Sequence, residues 1–158
     1  MTRIRFSADE MLGSLARWLR LMGYDTCYER DSGDTEILER AIFDDRILLT
    51  RDKNLAERAG ERGLYVSARD HDDQIRQVMM AFKLTFDEDR SRCTACNGDL
   101  ILITKEEASN GVPEGALRSN QQFYRCGCCG KYYWKGSHWD NIRRTMATLT
   151  GSDHESSR

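Results

Sequence analysis

Arg46-Ile47-Leu48-Leu49-Thr50-Arg51-Asp52 decides the fold of this 158-residue chain. The apolar run 47–50 is short and suits a strand buried on both faces of a parallel sheet. It stops at Asp52. Upstream, Asp34 precedes a helix with Ile37, Leu38, Ala41 and Ile42 on one face. Before that, residues 26–28 form a short strand, and residues 3–8 alternate polar and apolar up to Asp9. Leu12, Leu15, Ala16, Leu19 and Met22 then recur at helical spacing, with Gly23 as the stop. Downstream, residues 55–62 form a helix closed by Gly63, and residues 64–68 a fourth strand. Ile75, Val78, Met79 and Phe82 mark a further helix. Strands alternating with helices predict an α/β unit with a central, mainly parallel sheet flanked by helices.

The alternation breaks in a charged linker at residues 86–92, and cysteines follow. Cys93-x2-Cys96 and Cys126-x2-Cys129 are matched pairs that supply four thiolates to one tetrahedral Zn2+. The second pair runs into Gly130-Lys131-Tyr132-Tyr133-Trp134, a knuckle followed by an aromatic strand, as in a zinc ribbon. Such a closed site has no open position, so its zinc is structural. Cys128 offers an alternative pairing with Cys126; Cys129 is preferred because its spacing mirrors the first pair and Gly130 follows it. Cys27 reads as a small core residue. Strands are expected at 100–103 and 122–125, a polar loop at 104–121 and a closing helix at 138–149. The expected organisation is an α/β domain at 1–90, a C-terminal zinc ribbon with its helix at 91–150 and a disordered tail at 151–158.

Charged residues make up 32% of the chain, and a single proline interrupts it, as in a water-soluble globular protein. No stretch reaches the ~20 apolar residues of a membrane span. Residues 1–9 carry no apolar signal-peptide core, and thiolate ligands fit a reducing, cytoplasmic compartment. The net charge of −2 hides an asymmetry. Residues 1–90 hold 15 basic and 19 acidic side chains, residues 91–158 hold 9 and 7. A chain-wide basic footprint for nucleic acid is absent, so any such binding uses local patches.

Asp9 and Asp52 follow the C-terminal ends of expected strands, where open parallel sheets bind ligands. Asp34 opens the helix that leads into the strand ending at Asp52. Three carboxylates brought together repel one another, and a hard divalent cation, Mg2+ or Mn2+, resolves that repulsion. Each aspartate also has a plain reading as a helix N-cap. Glu36 and Asp73 are candidates for a fourth ligand.

Asp9-x2-Leu12-Gly13-x-Leu15-Ala16-Arg17-Trp18-Leu19-Arg20-x2-Gly23-Tyr24-Asp25 resembles the opening of the Mut-seven C-terminal RNase family. Asp34-x2-Ile37-x3-Ala41 and the stretch from Arg46 to Asp52 resemble its next block. Arg92-Cys93-x2-Cys96-Asn97 and Cys126-x2-Cys129-Gly130-Lys131-x2-Trp134-x-Gly136-Ser137-His138 resemble its zinc module. The resemblance runs from Ile4 to Leu149. It implies a PIN-like nuclease domain joined to a zinc ribbon, and metal-dependent cleavage of RNA. Asp9, Asp34 and Asp52 match acidic positions of PIN domains. The further acid common in PIN domains has Glu29, Asp31 and Glu36 as possible counterparts.

On that reading Asp9, Asp34 and Asp52 hold Mg2+ or Mn2+, which activates water against an RNA phosphodiester. Arg17, Arg20 and Arg51 lie near the site and can meet phosphate. Lys131, Trp134, Lys135 and His138 of the ribbon help hold nucleic acid, although one or two ribbon aromatics are needed for its small core. A second reading is a non-catalytic adaptor whose ribbon binds nucleic acid or protein while the α/β part is a scaffold. A phosphoacceptor receiver lacks its expected lysine after a fifth strand. A metal-dependent phosphatase could use the same aspartates, because a fold does not fix its substrate.

Overall fold

A computed structural model describes residues 3–149. The side chains at 137–139 and 141 lie outside the description, and with them the expected contact at His138; so does the tail expected at 151–158. The chain forms two compact units, Met1–Asn97 and Gly98–Arg158.

The first unit is an α/β layer structure. Its strands are β1 (Phe6–Ala8), β2 (Thr26–Tyr28), β3 (Ile47–Thr50) and β4 (Gly63–Tyr65), all parallel, in the order β2-β1-β3-β4. Helices α1 (Gly13–Leu21), α2 (Asp34–Phe43), α3 (Lys53–Ala59) and α4 (His71–Phe82) follow the four strands in turn. Leu48, Leu49 and Thr50 are fully buried, as a strand covered on both faces requires. Strand alternation then divides the core. Leu48 packs with Ile37 and Ala41 of α2 and Leu55 of α3. Phe6, paired in register with Ile47, points to the other face and meets Phe82 of α4 edge-on at 5.5 Å. Each large side chain buried in this way contributes roughly 1.5–3 kcal/mol.

Helix α1 ends as its sequence predicts. Gly23 has φ +100°, and Tyr24 N and Gly23 N bond back to the carbonyls of Leu19 and Arg20. These two bonds close the helix in a left-handed stop that favours glycine. The third expected helix begins at Lys53, two residues before the expected start, because Asp52 caps it. The fourth strand is shorter than expected and ends at Tyr65.

In the second unit, β5 (Leu100–Ile103), β6 (Phe123–Cys126) and β7 (Tyr132–Trp134) form an antiparallel sheet in that order. The polar loop expected at 104–121 instead holds two short helices, α5 (Lys105–Ala108) and α6 (Glu114–Ser119). The reason is local: Thr104 caps α5 by accepting from Glu107 N, and Ala108 and Val112 then bury against Phe123. Helix α7 (Ser137–Leu149) closes the chain. Tyr132 and Trp134 pack on the Ala108–Val112–Phe123 core. A Cβ at Gly111 would overlap the Tyr132 ring, so the chain passes close beneath it. Trp134, expected at the nucleic-acid contact, is half-buried against that core.

Gly23→Ala places a Cβ 2.9 Å from Arg90 Cβ in a left-handed conformation. It is expected to lower unfolding stability by about 1–2 kcal/mol. Gly115→Ala, within α6 and with no atom within 4 Å of the new Cβ, should not lower stability in the same denaturant titration.

Candidate active site and metal centre

Strand order reverses between β1 and β3: the chain steps from β1 outward to β2, then returns to the other side of β1. That switch opens a crevice at the C-terminal ends of β1 and β3. Asp9 and Asp52 stand there. Asp9 is only 8% exposed, so its charge needs donors. One carboxylate oxygen accepts from Met11 N at 3.1 Å. The other accepts from the Thr50 hydroxyl at 2.5 Å and Arg51 N at 3.2 Å. The same hydroxyl accepts from Asp52 N at 2.9 Å. Fully buried Thr50 therefore fixes the Asp9 carboxylate and the Asp52 backbone together. The Asp52 side chain is exposed and caps α3 through Leu55 N at 3.2 Å.

Asp34 lies in the first turn of α2, whose N-cap is Gly33, and is exposed. Its capping role is thus taken by its neighbour. Glu29 N bonds to Ala8 O, which sets Glu29 beside the end of β1, and its carboxylate pairs with Arg40 at 3.1 Å. Among the described residues, one group of three or more potential ligands comes within metal-binding reach of one another, and it is a cysteine group. Asp9, Asp34 and Asp52 do not close to that spacing. Asp9 and Asp52 share the crevice, while Asp34 stands on the helix that follows β2.

The expected cations are placed differently. Arg17 is exposed on α1. Arg20 is 7% exposed and donates to Thr26 O at 2.9 Å and Thr94 O at 2.8 Å. It therefore ties backbone segments together and is not displayed to a phosphate. Arg51 donates to Val66 O and Ala68 O and so fixes the chain beyond β4. Lys131 is exposed and Lys135 half-buried.

The cysteine group consists of Cys93, Cys96, Cys126 and Cys129, whose sulfurs lie within 4.8 Å of one another. Tetrahedral Zn–S bonds put sulfurs about 3.8 Å apart, so this donor set fits zinc closely. Cys126 Sγ accepts from Cys128 N and Cys129 N at 3.3 and 3.4 Å, a turn that wraps the thiolate. Cys128 itself points outside the group. The residue after each pair is left-handed: Asn97 at φ +71° and Gly130 at φ +81°.

Asn97 is the residue that sequence reasoning passed over. Its side chain donates to Asp25 Oδ1 at 2.7 Å and accepts from Thr26 N at 3.0 Å. Arg46 donates to the same Asp25 oxygen at 2.8 Å. The knuckle 93–97 is thereby fastened to the N-terminal edge of the sheet, opposite the aspartates. These bonds lie within the first unit, which runs to Asn97. An Asp before a strand and an Asn after a CxxC are signals too common to have marked the pair.

Burial pushes the Asp25 carboxyl pKa up, but hydrogen bonds from Arg46 and Asn97 outweigh it and hold it below the ordinary carboxylate value. Burial also opposes the Arg46 charge, and Asp25, Cys27 and Asp44 together more than offset this and raise its pKa. A depressed carboxyl stabilises the fold above its unfolded pKa, about 3.9, and loses that contribution as pH falls through the folded value. The stability gap between wild type and Asp25→Asn is therefore expected to be constant near neutrality. It should narrow below about pH 4 in denaturant titrations.

No described helix is long and apolar enough to cross a membrane. The Mut7-C RNAse domain family matches residues 4–146, and its description points to a nuclease-type function. No curated protein and no solved structure matches the chain. With 143 of its 158 residues inside that match, the chain belongs to the Mut7-C RNAse domain family.

Proposed function

We propose that the chain is a metal-dependent ribonuclease with a PIN-like catalytic unit and a zinc ribbon that assists RNA binding, working in a reducing, cytoplasmic setting. The observation that carries this reading is the Thr50 hydroxyl, which locks the Asp9 carboxylate to the start of the Asp52 loop in the switch-point crevice. Mg2+ or Mn2+ would be held by Asp9 and Asp52, with Asp34 as the third acid. Mg2+ keeps several waters and takes only one or two carboxylates directly, so such a site does not require all three aspartates at ligand distance. Such an ion supplies charge neutralisation at phosphate and an activated water.

The chain's own residues provide orientation. Thr50 and Arg51 N fix one oxygen of Asp9, and Met11 N fixes the other, so the carboxylate meets its ligand without reorganising. Arg17 is the exposed cation of α1 available to phosphate. No side-chain nucleophile is required. Zn2+ at Cys93, Cys96, Cys126 and Cys129 holds structure and leaves catalysis to the aspartates. The adaptor reading draws on the wider spacing of the aspartates and predicts RNA binding without cleavage.

Cleavage of single-stranded and structured RNA in Mn2+ or Mg2+ tests the proposal. Asp9→Asn and Asp52→Asn should each lose about 100-fold or more, the scale of removing one electrostatic stabiliser. Equal residual cleavage in wild type and both variants would leave the adaptor. Separately, metal analysis of the purified wild type should find one zinc per chain, and Cys96→Ser should lose it and loosen residues 93–134 to proteolysis. A zinc-free wild type would remove the structural zinc from the proposal.

A further inference from the structure

The antiparallel register of the second unit sorts its aromatic residues. Ile103, Phe123 and Trp134 are directly opposed across β5, β6 and β7, and Phe123 and Trp134 share the core with Ala108 and Val112. One residue along, Leu102, Tyr124 and Tyr133 form the next row. Opposed residues share a face, and successive residues change face. This second row therefore lies on the sheet face turned away from that core. Leu102 is 61% exposed, and both tyrosines are partly exposed.

Two lysines accompany the rings. Lys131 Nζ lies 5.4 Å from the centroid of Tyr133, and Lys135 Nζ lies 5.7 Å from that of Tyr124. Residues 115–139 contain four Lys or Arg and no Asp or Glu. The face thus combines two tyrosine rings with two lysines. A phosphate chain with accessible base faces complements both features. A duplex complements only the charge, because its base faces are stacked away.

We infer that the Tyr124–Tyr133 face is a stacking platform for unpaired RNA, with Lys131 and Lys135 meeting the adjoining phosphates. This rests on the ribonuclease reading for its ligand. It assigns the stacking role to Tyr124 and Tyr133, whose row faces away from the Ala108–Val112–Phe123 core that Trp134 packs against.

The test is binding of a fluorescent single-stranded RNA decamer, and of the same sequence as a duplex, to the full chain without added Mg2+ or Mn2+. Tyr124→Ala and Tyr133→Ala should each weaken single-strand binding about tenfold, with zinc content unchanged. Tyr124→Phe and Tyr133→Phe keep the ring and should bind within about twofold of wild type. Duplex binding should respond little to any of the four. Unchanged single-strand affinity in the double Ala variant would overturn the platform, as would Phe variants that lose as much as Ala. Equal losses on single strand and duplex would also overturn it, since charge alone would then explain binding. The catalytic reading fails separately: absence of metal-dependent cleavage with ring-dependent binding removes the nuclease and leaves the platform. Asp9-dependent cleavage with ring-independent binding does the reverse.

Discussion

A buried carboxylate has to be hydrogen-bonded, and the demand of Asp9 for donors organises the C-terminal edge of the parallel sheet. Three donors answer it: two backbone N–H groups and the Thr50 hydroxyl. The hydroxyl can reach only if β1 and β3 are neighbours in parallel register, with Ala8 beside Leu49. Sheet order, register and the position of Asp52 are therefore bound to one side-chain contact. Replacing Thr50 by an isosteric valine would leave that Asp9 oxygen with Arg51 N alone and take the acceptor from Asp52 N, at a cost of about 1–3 kcal/mol.

The opposite edge of the sheet is governed by a second polar cluster. Arg46 donates to Phe6 O, Asp25 O and the Asp25 carboxylate, and Asn97 completes the partners of that carboxylate. Arg20 adds a bond from α1 to Thr94 O. The first cysteine pair is consequently held by the α/β unit through neutral and charged hydrogen bonds, independently of any thiolate ligand. A three-residue strand such as β1 spans roughly 10 Å, and it separates this anchored edge from the aspartates. The 93–97 knuckle and the aspartates occupy opposite ends of the same strands.

The ribbon shows how a very small sheet allocates its aromatics. With so little else to bury, its core takes Phe123 and Trp134 from one row and Tyr132 from the adjacent part of β7. The alternate row then keeps Tyr124 and Tyr133 for the outer face. Composition counts five aromatics in and around this hairpin without ranking them; cross-strand register does.

Much of the architecture was legible because short-range patterns encode it. The run Ile47–Thr50 gave the buried strand, the heptad-like spacing from Leu12 to Leu19 gave α1, and Gly23 gave its end. The two CxxC pairs singled out the four clustered sulfurs, since two residues between thiols is a local turn geometry. The helices within 104–121 escaped because they are held by burial against Phe123 and not by a long periodic face. Arg20 read as an exposed contact because charge does not specify direction. The sequence by itself determined which residue types could be candidates: aspartates after strands and paired thiols after a βα array. Only the tertiary structure decided their company. Thr50, Asp25 and Asn97 acquire their partners 41, 72 and 71 residues away, and such pairings follow from sheet order, which no local pattern records.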